Sequence, residues 1–252
     1  MVIKTARSKR RLVYWAAAAV AVLGVLSTLR VQCAEGPACE HPRFHFSFMP
    51  SAAASTVALT QTAFERDWRS RRRLAIGIPA EGATVLVVMV IDWQCPACRV
   101  VHMSYLPIVD AMNRANPGSV RVVMRDYPLN MRCNPNVPAV MHPAACDAAV
   151  AVRLAREQRR ETEMIDWLFA HQATLTPAIV RQGAKDIAGV ADLAARYPAM
   201  ITDVLADVEL GRRLEVGGTP TVFVNGVLAR TQDNGLFSPQ EFEMAVRVEL
   251  RR

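Results

Sequence analysis

The chain has 252 residues, 52% hydrophobic and 21% charged, with six cysteines and a formal net charge of +7 at pH 7. That length and apolar content can bury a full core, which excludes a disordered chain and suits one domain with an insertion, or one domain plus a small satellite, behind an N-terminal segment. The basic excess is partly local, in Lys4, Arg7, Lys9, Arg10 and Arg11 and in Arg69, Arg71, Arg72 and Arg73; neither run is interleaved with aromatic residues, which argues against nucleic-acid binding.

In chain order, the basic residues 1–11 are followed by Leu12 to Leu29, which carries no charge and at about 1.5 Å per residue matches the hydrocarbon core of a bilayer. Residues 12–29 therefore predict one N-terminal transmembrane helix. Basic residues crowd its front while only Arg30 follows closely, so the positive-inside rule keeps residues 1–11 in the cytoplasm and sends the rest across. Gln32 and Ala34 make a poor cleavage site and Val31-Gln32-Cys33 a poor lipoprotein box, which favours an uncleaved signal anchor over a cleaved signal peptide. The expected location is the inner (cytoplasmic) membrane, single-pass, with the catalytic part in the periplasm or outside the cell. Residues 30–74 read as an extracytoplasmic spacer and lead-in helix. His41 and His45, without further ligands, read as solvated spacer rather than a metal site. Residues from about 56 to 74 predict a basic amphipathic helix, its Arg run a solvated face or an attraction to anionic headgroups.

The apolar run Ala83 to Ile91 is short and rich in β-branched residues, as a buried strand is, and it delivers the chain to Cys95-Pro96-Ala97-Cys98. A cysteine at a helix start faces unpaired N–H groups and the positive end of the macrodipole, so Cys95 is a candidate thiolate, with Pro96 removing one donor. Val100, Met103, Leu106, Ile108 and Met112 recur at helical spacing up to a stop at Asn116-Pro117-Gly118. Ser119 to Met124 predicts a second strand, broken by Asp126-Tyr127-Pro128. From about Ala144 to Leu214 the alanine-rich sequence predicts three or four helices, punctuated at Thr176-Pro177 and Tyr197-Pro198. Thr221 to Val224, Asn225-Gly226 and Val227 to Ala229 predict a hairpin, and Ser238-Pro239-Gln240-Glu241 is a capping box ahead of a terminal helix.

Four segments carry a resemblance: Asp92-Trp93-Gln94-Cys95-Pro96-Ala97-Cys98, Cys133-Asn134-Pro135, His142-Pro143-Ala144-Ala145-Cys146-Asp147, and Gly217 through Gly226. With the element order over residues 75–252, they resemble the thioredoxin superfamily in its DsbA-like branch. They are also similar to thioredoxin-like domains associated with vitamin K epoxide reductase homologues. The resemblance implies an α/β thioredoxin-like fold with a helical insertion at about 130–215, preceded here by the transmembrane helix. It implies a protein thiol:disulfide oxidoreductase without cofactor or metal, most readily an oxidase. The alternatives are a reductase or isomerase of the same fold and a non-enzymatic binding module. Cys95 would be the nucleophile, Cys98 the resolving thiol, Pro220 a cis-proline against the dithiol, and Thr219 the backbone that pairs with an extended substrate. The implied partners are cysteine-containing secreted proteins and a membrane redox partner, such as a quinone-linked oxidase or a vitamin K epoxide reductase homologue. In one respect the chain departs from the pattern: related proteins often place an acid six residues before the first cysteine, where this chain has Met89. Asp92 either substitutes for it or serves only as a turn residue.

The remaining cysteines and histidines have competing readings. Cys133 and Cys146 suit a structural disulfide closing a loop of about fourteen residues, worth about 3 kcal/mol in the chain-entropy model, or a second redox relay pair. Cys33 and Cys39 suit a plain surface disulfide, or an exchange partner for Cys95 or a membrane oxidase. Half of a zinc site at Cys95 and Cys98 would need two further ligands, and no second C-x-x-C or C-x-x-H exists. His102 reads as a packed histidine rather than a catalytic base, His142 as local structure, and Arg99 as an exposed helix residue rather than a support for the thiolate.

Overall fold

A computed structural model describes residues 52–252, with side chains from residue 60. The readings of residues 1–11, of the transmembrane helix at 12–29, of the spacer up to residue 51, and of Cys33, Cys39, His41 and His45 lie outside the described residues. No helix among the described residues is long and apolar enough to cross a membrane.

Strand β1 (Val85–Ile91) is buried along its whole length, as its unbroken apolar sequence requires of a central strand. Helix α2 (Pro96–Ala115) connects it to the parallel strand β2 (Val120–Asp126), with Val85 opposite Val120 and Ile91 opposite Asp126. Strand β3 (Thr221–Val224) runs antiparallel on the other side of β1, Val90 facing Thr221, and the short β4 (Val227–Leu228) pairs with β3, giving the order β2-β1-β3-β4. The register brings the end of β1, the end of β2 and the start of β3 to one edge of the sheet. Asp92, Tyr127 and Pro220 each lie one residue beyond these strand ends, so the loops that carry chemistry meet there.

The β3–β4 turn is set by Asn225 and Gly226, both at positive φ, which matches the twist of a two-residue hairpin. A side chain at Gly226 would collide with the Leu74 carbonyl, 2.3 Å from a Cβ. Helix α7 (Pro239–Leu250) starts at the capping box: Ser238 Oγ accepts from the Glu241 amide at 3.2 Å, and Glu241 returns an acceptor to the Ser238 amide at 2.8 Å. It packs on α2 through stacked Tyr105 and Phe242 rings, 4.0 Å between centroids.

The insertion is four α-helices: α3 (Ala145–Glu157), α4 (Glu161–His171), α5 (Pro177–Ala188) and α6 (Leu193–Arg213), with a 3-10 turn at Gln172–Thr174. Helix α3 is its core, buried at every position from Ala145 to Val152, and its alanines let the other three helices approach closely. Gly183 on α5 lies so near the Trp167 ring of α4 that a Cβ would sit 2.3 Å from it. Thr176 caps α5 by accepting from the Ile179 amide at 3.2 Å.

Two expectations need correction. Tyr197-Pro198 does not punctuate the insertion, because α6 runs through it; Pro198 forfeits one amide hydrogen bond near the helix start, and burial of Leu193, Val204, Val208 and Leu210 along the helix outweighs that loss. The boundary at residue 75 also moves, since the compact unit runs Ser51–Arg252 and includes the lead-in helix α1 (Ala52–Ser70). Trp68 on α1 is fully buried beside Phe64 and Phe237, and its indole N–H donates to Glu249 Oε1 at 2.7 Å. Glu249, 1% exposed, also accepts from Arg73 at 2.5 and 3.0 Å and from Asn225 Nδ2 at 3.1 Å. Burial alone would raise its carboxyl, and these donors hold it below the ordinary value. One buried carboxylate thus ties α1, the segment after it, the hairpin turn and α7.

Candidate active site

Cys95 is the N-cap residue of α2, with Pro96 at the first helical position. Its amide donates to Asp92 O at 3.0 Å, and its carbonyl accepts from the amides of Cys98 and Arg99. Across the sheet edge, the Thr219-Pro220 bond is cis, and the Cys95 thiol lies 3.5 Å from the Thr219 carbonyl, to which it donates. The Thr219 hydroxyl is buried without a hydrogen-bond partner among the described residues, and the Thr219 side chain lowers both thiols' hold on a proton. Cys95, Cys98, Thr219 and Pro220 therefore converge from two distant parts of the chain.

Both cysteines are free thiols, and their surroundings push them apart. Cys95 is lowered to about 6: the Cys98 thiol donates to its sulfur, burial opposes this, and the Cys98 amide, the Thr219 hydroxyl and the Ala97 amide add to the stabilisation. Cys98 has no exposed surface, and burial followed by the neighbouring Cys95 pushes its thiol well above the ordinary value, only partly offset by the Asp92 amide 3.4 Å from its sulfur. At neutral pH the pair is one thiolate and one thiol.

The loop before the dithiol is fixed by Asp92, 1% exposed. Asp92 Oδ1 accepts from the Gln94 amide at 2.7 Å, the turn role; Oδ2 accepts from the Leu129 amide at 2.6 Å and meets His142 Nδ1 at 2.8 Å. His142 is raised above its ordinary value, first by the Asp92 hydrogen bond, and further by the charges of Asp92 and Cys95 against the cost of burial. The position six residues before Cys95 is filled by Met89, buried in β1. The Asp92 carboxylate is engaged with the Gln94 and Leu129 amides and with His142, and it is the Asp92 amide that approaches the Cys98 sulfur. His142 is more than local structure: the loop from Leu129 to Cys146 presents it to the dithiol, and a disulfide between Cys133 and Cys146, Cα atoms 6.0 Å apart, closes that loop. Asn130 Nδ2 holds the His142 and Pro143 carbonyls at 3.1 and 3.3 Å.

The insertion supplies positioning residues that the sequence did not reveal. Gln172 Nε2 donates to the carbonyls of Cys95 at 2.9 Å and Trp93 at 3.2 Å, and Gln94 bridges the Ala144 amide and the Leu175 carbonyl. Gln94 lay within the quoted motif, whereas Gln172 carried no local signal. Trp93 is buried against Phe169, and its indole donates to Asp126 Oδ1 at 2.8 Å. Asp126 is pushed up to about 6 by burial, with Arg153 opposing and Asp207 adding to the rise. Arg153 bonds both Asp126, at 2.7 Å, and Asp207. His102 packs on Phe169 at 5.0 Å and is lowered by burial, with Nδ1 unpartnered, and Arg99 is exposed. Among the described residues, no group of three or more His, Cys, Asp or Glu is placed to hold a metal ion.

Residues 71–246 match the thioredoxin family model. Two curated proteins share sequence with the chain: the Na(+)/H(+) antiporter NhaA 3 of Salinispora tropica, 33% identical over 150 residues, and NhaA 1 of Salinispora arenicola, 30% identical over 154 residues. Each match covers 57% of this chain and 20% of the antiporter, so the chain spans about a fifth of the length of these relatives. Oxidised BdbD from Bacillus subtilis superposes with a TM-score of 0.53 at 18% identity, covering 72% of this chain and 98% of that one. A thioredoxin-like oxidoreductase from Silicibacter pomeroyi gives 0.50 at 21% identity, covering 68% and 93%. These two likenesses speak for the fold, and the family match spans the strand, the dithiol helix, the insertion and the cis-proline. The chain belongs to the thioredoxin family.

Proposed function

We propose that the chain is a membrane-anchored extracytoplasmic thiol:disulfide oxidase that passes the Cys95–Cys98 disulfide to cysteine-bearing secreted proteins. The observation that carries this is the split between the two thiols: Cys95 at about 6 on the helix N-cap and Cys98 buried and well above its ordinary value. A substrate thiolate attacks the Cys95 sulfur, the Cys95–Cys98 bond breaks, and Cys98 leaves and takes up a proton. The substrate's second thiolate then attacks the mixed disulfide at the substrate sulfur, and Cys95 leaves as a stabilised thiolate. Two electrons move to the protein, and the substrate keeps the new disulfide. A membrane redox partner, a quinone-linked oxidase or a vitamin K epoxide reductase homologue, takes the electrons on. A thiol at about 6 is about tenfold favoured as thiolate at pH 7, which makes the disulfide more oxidising by about 30 mV for a two-electron couple.

The cis-peptide at Thr219-Pro220 supports the docking of an extended substrate segment against the Thr219 backbone. The uncharged stretch at residues 12–29 and the similarity to parts of two antiporters support a place at the membrane. Cys133–Cys146 fits a structural role, as it closes the loop that presents His142. The test is the reduction potential of the dithiol in the full-length protein, equilibrated with glutathione and read by thiol alkylation. A value near about −120 mV supports the oxidase, and one near about −270 mV makes the protein a reductase. Cys98→Ala should accumulate mixed disulfides that Cys95→Ser does not form; a binding module would keep its partners in both variants.

A further inference from the structure

A cavity of about 520 Å³ opens beside Thr219, with apolar surface from Leu74, Leu214, Phe223 and Leu228, and with Arg72 and Arg230 also lining it. A second hollow shares Arg72, Leu228 and Arg230 and continues the groove to Thr231 and Gln232. Leu228 is 37% exposed, a large apolar side chain uncovered at the sheet edge.

The two arginines differ from their neighbours. Arg71 is committed to Asp67 and Arg73 to Glu249. Arg72 is exposed and has neither a hydrogen bond nor an ion pair among the described residues. Arg230 donates to the carbonyls of Pro220 at 3.1 Å and Asn234 at 2.9 Å, and makes no ion pair among the described residues. Glu215 is the acid in the lining, so the groove keeps an excess of positive charge over an apolar floor. Phe223 pairs with Leu228, and Arg73 bridges to Val227, which places Arg72 near the level of Phe223, four residues along the strand from Thr219. At about 3.3 Å per residue that is a rise of roughly 13 Å along the strand direction from the backbone against which the dithiol lies, with the Arg72 backbone two strand spacings, about 10 Å, to the side and its side chain lining the cavity beside Thr219.

We propose that this groove selects substrate segments bearing a carboxylate side chain about four residues from the reacting cysteine, with Arg72 as the specificity-determining residue. This rests on the exchange reaction proposed above. An extended segment lying against Thr219 would set apolar side chains on Leu228 and its neighbours and bring an Asp or Glu to the unpaired guanidinium. Complementary charge at a solvent-facing rim mainly speeds encounter and fixes register, and salt screens it.

The test uses the full-length protein, oxidised, and matched dithiol peptides carrying Glu, Gln or Lys four residues to either side of the cysteine pair. At low salt the Glu peptide should be oxidised about fivefold faster than the Gln peptide, and the Lys peptide slower still, with the ratios collapsing in high salt. Arg72→Gln should bring the Glu-to-Gln ratio close to one, while Arg114→Gln, an exposed charge at the far end of α2, should leave it unchanged. Equal rates for the three peptides, or a ratio that survives Arg72→Gln, overturn the proposal. If no peptide is oxidised, the exchange reading fails. The groove is then tested by fluorescence anisotropy with serine versions of the peptides, where equal binding of Glu and Lys forms overturns it.

Discussion

The two ends of the domain are each organised around buried carboxylates, and they solve the cost of burial in opposite ways. At the base, Glu249 collects donors from Trp68, Arg73 and Asn225 and is held low. At the dithiol end, Asp126 shares Arg153 with Asp207, and both acids are pushed up. Glu249, whose donors together outweigh the cost of its burial, acts as a fixed anion and serves as a latch. Asp126 also has donors on both oxygens, from Trp93 and Arg153, and Asp207 pairs with Arg125 as well, but burial, and for Asp126 the charge of Asp207, outweighs them and leaves both acids able to take up a proton.

The largest expected break falls at the base. Glu249→Ala strands the buried Trp68 indole and removes the ion pair of Arg73, which keeps the Asn225 carbonyl as the Asn225 amide keeps that of Thr84, and should cost about 3 kcal/mol in urea unfolding. Cys95 alkylation kinetics well below the melting temperature should not change. Loss of both Cys133 and Cys146 to alanine should cost about 3 kcal/mol from loop entropy, and unlike the first variant it should also alter Cys95 reactivity, because the loop that presents His142 is released.

The third prediction sharpens the contrast through pH. Between about pH 4 and 6 the folded protein keeps a proton on Asp126 that the unfolded chain has already released, so this group's contribution to stability falls as pH rises through that window. Glu249 has the reverse sign: its contribution is present above its unfolded value and is lost as pH falls. Asp126→Asn should remove a slope on the order of 2 kcal/mol between pH 4 and 7, read from urea midpoints; an unchanged slope would show that Asp126 ionises as an ordinary acid. The smallest effect is at His142. Replacement by Gln removes the imidazole whose proton is favoured by Asp92 and by the charge of Cys95, and should raise the Cys95 value slightly in an ultraviolet thiolate titration.

The same contrast marks what the sequence made legible. Strand β1, the α2 start at Cys95-Pro96, the Asn225-Gly226 turn and the Ser238 capping box are written in neighbouring residues, and local chemistry alone dictates them. The dithiol is legible for the same reason. What stayed hidden depends on pairs far apart in the chain: Trp68 with Glu249 across 181 residues, Asp92 with His142 across 50, and Gln172 with Cys95 across 77. The basic run reads as a solvated face in the sequence, whereas Arg73 within it meets a buried acid. Pro198 misled because a proline near a helix start forfeits one hydrogen bond and not the helix.

The Glu249 latch also orders events as the polypeptide is made. A nascent chain that has emerged as far as the insertion already contains the dithiol, while the cis-proline is still to come; even one that has reached the hairpin leaves the Trp68 indole without its acceptor, and Arg73 without its carboxylate, until residue 249 has cleared the ribosome. The amino-terminal helix can therefore take its final seat only after nearly all of the domain has been synthesised, so the first element made is among the last to be fixed.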